Sequence, residues 1–163
     1  MRYTQKAKYA LISFFVILIE MLISKYLQIG GAIPMLCFCF CIIVSVFEKK
    51  EEDIIFCAVF SGAVLDILSM HGFGTYTVTF LASCLAASYF AEKIFSSMLL
   101  YLIVSILFLT IFVQSAYYLL NINNIANSFF GMMLSKILPT ALYNIVIVAL
   151  AYPAVIKIYK KRR

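Results

Sequence analysis

The sequence has no tryptophan, one histidine, three prolines and six glycines, and charged residues make up only 12% of its 163 positions. A soluble domain carries about twice that share of charge, so a polar surface cannot be assembled here. The lone histidine, His71, excludes a multi-histidine metal site and reads as a turn residue. What the chain has instead is apolar: 65% of it is hydrophobic and the mean hydropathy is +1.05. The solvent it suits is lipid. Six spans of about 20 residues would use about 120 positions and leave roughly forty for termini and loops. That excludes a separate soluble domain and disfavours nucleic-acid binding and hydrolytic chemistry, which need a polar cleft outside the bilayer. The expected fold is an all-α integral membrane protein forming one multispan domain over residues 1–163.

The apolar runs are Tyr9 to Leu27, Ala32 to Phe47, Ile54 to Ser69, Tyr76 to Phe95, Met98 to Leu120 and Ile137 to Ile156. The second and third are short and are expected to reach into the Glu48 to Asp53 loop or to sit in thinned lipid. The first is too long for a signal-peptide core and is expected to remain as a helix. Five of the 13 cations, Lys157, Lys160, Lys161, Arg162 and Arg163, crowd the end of the chain, and Arg2, Lys6 and Lys8 precede the first run. With six spans, eleven cations fall on the side of the termini and only Lys25 and Lys136 on the other. The positive-inside rule then places both termini in the cytoplasm.

Acids inside apolar runs need a partner, because a carboxylate at the bilayer centre costs about 2.5 to 3.5 kcal/mol on insertion scales. Asp66 shares a helical face with Ala58, Gly62 and Ser69, small residues that let a neighbouring backbone come close. It is expected to bond to the following turn's amides or to a hydroxyl of the next helix, with a polar anchor for a partner, or a proton or ligand site, as the functional alternatives. Gly72 and Gly74 follow in a tight turn, so the third and fourth spans should form a close hairpin. Glu20 lies near mid-bilayer, as a hydrogen-bonding residue of the bundle interior or a contact for a partner helix. Asn144 is buried in the last run and must bond to an adjacent helix. Pro34 is expected in the first turn of the second span, Pro139 at the start of the sixth, and Pro153 is expected to kink or end that helix before the basic tail. The five cysteines, Cys37, Cys39, Cys41, Cys57 and Cys84, read as small packing residues, with Cys39 facing away from Cys37 and Cys41. The stretch from Asn121 to Lys136 is either an interfacial helix or an early start of the sixth span. No motif requires a cofactor or a metal.

Gly62-x-x-x-Asp66-Ile67-Leu68-Ser69 followed by Gly72-Phe73-Gly74, with Pro34 ahead of it and Pro139-Thr140-Ala141-Leu142-Tyr143-Asn144 through Tyr152-Pro153 and a basic tail behind, resembles the rod shape-determining protein MreD family. Met35 departs from the family, which often has an acid after that proline. The resemblance implies a non-enzymatic scaffold of the bacterial cell-elongation machinery. It would work with a bitopic MreC-type protein and indirectly with MreB filaments and the wall-synthesis polymerase and transpeptidase, among membrane lipids and without nucleic acid. It also implies a bundle similar to the substrate-binding components of energy-coupling-factor vitamin transporters, which makes a ligand-binding transporter component the rival reading.

Overall fold

The computed structural model describes residues 2–24, 26, 33–48, 50–69, 74–91, 98–120, 131 and 133–162. Six α-helices follow in chain order: α1 (Arg2–Ser24), α2 (Leu36–Phe47), α3 (Glu51–Ser69), α4 (Thr75–Ala91), α5 (Met98–Leu120) and α6 (Leu138–Arg162). A π-helical turn, Met133–Ile137, leads into α6, and no strand occurs among the described residues. By length and composition two segments can cross a bilayer outright, Gln5–Ser24 and Leu134–Lys157.

Local chemistry sets the ends. Glu51, Glu52 and Asp53 fill the first turn of α3, where carboxylates oppose the positive end of the helix dipole. Gly74 takes φ +97°, a left-handed conformation that glycine enters without strain, and its carbonyl accepts the Val78 N–H at 3.0 Å to open α4. Pro139 occupies the first turn of α6, where its missing N–H is harmless.

Two prolines sit differently from the expectation. Pro34 precedes α2, whose first helical residue is Leu36. A proline disfavours helical geometry in the residue before it, which leaves 33–35 outside the helix. Pro153 lies within α6, which continues to Arg162. Its side chain is exposed. The last helix also starts early, since helical turns are present from Met133, while 121–130 lie outside the described residues. α3 reaches into the connecting loop as far as Glu51, whereas α2 stops at Phe47 with Glu48 extended (φ −88°, ψ 135°).

The interior is apolar, with Phe38, Phe80, Ile42 and Leu102 buried, but so is much of the surface. Ser13, Ser61, Thr110 and Asn144 are fully buried, while Leu22 is 70% and Leu150 74% exposed. Such a surface is stable only against lipid. α2 sits at the centre and touches all five other helices. Its apolar residues run around the whole circumference, as a helix with neighbours on most sides requires. Phe38 packs on Phe80 of α4 with ring centroids 5.2 Å apart. Around it α3 pairs with α4, α5 with α6, and α1 with α3. One groove is bordered by both Gln5, near the start of α1, and Val155, near the end of α6.

Candidate functional site

A helix of 12 residues is about 18 Å long, well short of a bilayer core of about 30 Å. The first N–H groups of α2 have no acceptor within their own helix and must find one elsewhere. Two distant side chains supply acceptors. The Cys37 N–H donates to Glu20 Oε2 of α1 at 2.7 Å, and the Met35 N–H donates to Asn144 Oδ1 of α6 at 3.0 Å. Asn144 is itself fixed, its Nδ2 donating to Thr110 Oγ1 of α5 at 3.1 Å. Four helices thus meet at the start of α2. Glu20 and Cys37 lie opposite one another in the same antiparallel register as Tyr9 and Glu48, each pair member eleven residues along from the other.

The start of α4 is built in the same way. Asp66, in the last turns of α3, accepts the Tyr76 N–H on Oδ1 at 2.8 Å. Its Oδ2 accepts the Thr77 N–H at 3.1 Å and the Thr77 hydroxyl at 2.6 Å. The carboxylate acts as an N-cap supplied from the preceding helix, its charge opposed by the positive end of the α4 dipole. Gly62, one turn before Asp66, allows the approach. A Cβ there would lie 2.7 Å from the Thr77 nitrogen and closer still to its Cα, both backbone atoms that cannot swing aside. Ala58 is fully buried one turn earlier. Ser69, the other polar residue of that face, has a buried hydroxyl with no partner among the described residues. Gly72 and His71 lie outside the described residues.

All five cysteines are free and buried. Cys39 is buried like the rest and faces α6, its thiol 3.9 Å from the Asn144 carbonyl. Ser13 Oγ lies 3.8 Å from the Cys57 sulfur. Met35 uses both its groups: its N–H is capped by Asn144, and its sulfur accepts the Gln114 amide at 3.4 Å. Among the described residues no set of three or more His, Cys, Asp or Glu side chains is placed to hold a metal ion. These contacts join one helix to another within the bundle.

Residues 4–162 match the family model described as rod shape-determining protein MreD. The chain belongs to that family. No curated protein and no solved structure matches it significantly. Family membership assigns it to the determination of rod shape, as a membrane protein of the shape-determining machinery and not as a member of an enzyme family.

The polar hub at Glu48 is not apparent from the sequence, where that residue belongs to a charged loop. Its Oε2 accepts the Gln5 amide at 3.0 Å and the Tyr9 hydroxyl at 2.6 Å, tying α1 to the end of α2. The available signal is the i, i+4 spacing of Gln5 and Tyr9, which puts both on one side of α1.

Proposed function

We propose that this chain is a non-enzymatic scaffold in the bacterial cytoplasmic membrane, one six-span domain with both termini in the cytoplasm. It regulates peptidoglycan synthesis during cell elongation through a complex with an MreC-type bitopic protein, and indirectly through MreB filaments and the elongation polymerase and transpeptidase. One observation carries the reading: Glu20, Asp66 and Asn144 are all engaged in capping helices of the same bundle. What remains for a partner is the apolar lateral surface and the charged end where the termini lie. The lateral face is suited to a single membrane-spanning helix, and the basic end of α6 to anionic lipid or a cytoplasmic filament.

A vitamin-transporter component, and the energy-coupling-factor likeness behind it, is the less favoured reading. It needs convergent polar groups at the exterior end, whereas the large groove gathers Gln5, Tyr9, Glu48 and Lys50 at the end of the termini. Depletion in the source cell, with imaging, separates the two. Rounding of the cells supports the scaffold; intact rods with a new vitamin requirement refute it.

A further inference from the structure

The groove between α1, α2 and α6 has a volume of about 860 Å³. Its α1 wall runs from Gln5 to Ile19, fourteen residues or about 21 Å, which covers the hydrocarbon depth of one leaflet, half of a core about 30 Å thick. In length the groove suits an acyl chain lying along α1. Its walls agree, with Ile12, Val16, Phe40 and Ile43 along its length.

Its mouth is polar and carries one charge of each sign. Both protein bonds to Glu48 fall on Oε2, and among the described residues Oε1 receives none. Lys50 forms no ion pair among the described residues, while the nearby Lys6 is already set 3.7 Å from Glu52. A free carboxylate oxygen and a free ammonium at the bilayer surface, above an apolar slot, complement a zwitterionic headgroup.

We propose that the groove holds an acyl chain of a phosphatidylethanolamine-type lipid from the leaflet at the end of the termini. The Lys50 ammonium pairs with the phosphate, and Glu48 Oε1 accepts from the primary ammonium of the headgroup. This rests on membrane embedding and on the charged end of the bundle, not on the scaffold reading.

The absence of tryptophan makes the test direct, because Phe40→Trp introduces a single reporter inside the groove. The full chain is reconstituted in phosphatidylcholine vesicles and titrated with phosphatidylethanolamine, phosphatidylglycerol or phosphatidylcholine brominated on one acyl chain. Brominated phosphatidylethanolamine should quench Phe40→Trp at a mole fraction about threefold below that of the other two, the size expected of a single exposed ion pair. A reporter at Phe108→Trp, on the lipid-facing side of α5 where Phe108 is 68% exposed, should show no headgroup preference. In the Phe40→Trp background, Glu48→Gln should abolish the preference for phosphatidylethanolamine over phosphatidylcholine, and Lys50→Gln should weaken quenching by all three lipids. If Phe40→Trp does not fold, Ile12→Trp repeats the reading from the α1 wall, where the side chain is 44% exposed and a larger ring has room. Equal behaviour of the groove and control reporters, a preference for phosphatidylglycerol, or no quenching in the groove because a second copy or a partner helix fills it would each overturn the proposal.

Discussion

Replacing Asp66 by leucine would leave the Tyr76 and Thr77 amides and the Thr77 hydroxyl without their acceptor at a part-buried helix start. An unsatisfied buried group costs about 1 to 3 kcal/mol, so Asp66→Leu is expected to lose about 2 to 4 kcal/mol and Asp66→Asn, which keeps one acceptor oxygen, about half as much. Detergent-unfolding titrations of the purified variants would order them wild type, Asn, Leu; equal stability of all three would show that the cap contributes nothing. Gly62→Ala tests the neighbouring constraint. The added methyl would press on backbone, and overpacking of this kind costs about 1 to 3 kcal/mol. The same titration should show the loss, and the double variant with Asp66→Leu should lose less than the two single losses added together, since either change alone already separates α3 from α4.

Among the elements, α2 is the one whose stability depends most on others. Glu20→Gln retains an acceptor for the Cys37 N–H and is expected to cost under about 1 kcal/mol, whereas Asn144→Leu removes a bond from each of α2 and α5 and should cost about 1 to 3 kcal/mol. Hydrogen exchange would locate the damage: amides at the start of α2 should lose protection first in Asn144→Leu, and exchange spread evenly over the bundle would contradict the capping account. The sequence made part of this element legible. Its apolar run showed a helix, and the spacing of Ala58, Gly62 and Asp66 showed a shared face on α3. The periodicity could not reveal that α2 begins only at Leu36, because Pro34 fits equally well in a first turn or just before one. Nor could it pair Asn144 with Met35, since that bond crosses 109 residues of sequence and nothing local records it. The separate face given to Cys39 was legible too, since its thiol lies by the Asn144 carbonyl of α6.

At the scale of the whole molecule, the proposed orientation makes the basic tail its determinant. Changing Lys157, Lys160, Lys161, Arg162 and Arg163 to glutamine removes five cations, each worth about 1 kcal/mol near an anionic leaflet. Reporter tags on both termini should then show a fraction of inverted or mislocalised chains and a partial loss of rod shape. Unchanged orientation and shape would free the tail of any such role. The cap on α2 also bears on how the protein is made. Asn144 leaves the ribosome 109 residues after Met35, roughly 5 to 20 s later at ordinary synthesis speeds. During that interval the buried start of α2 has only Glu20 to satisfy it, and the nascent bundle is left open on one side. Its closure falls to the last helix to arrive, so a chain stopped short of residue 144 should stay with the insertion machinery or be degraded.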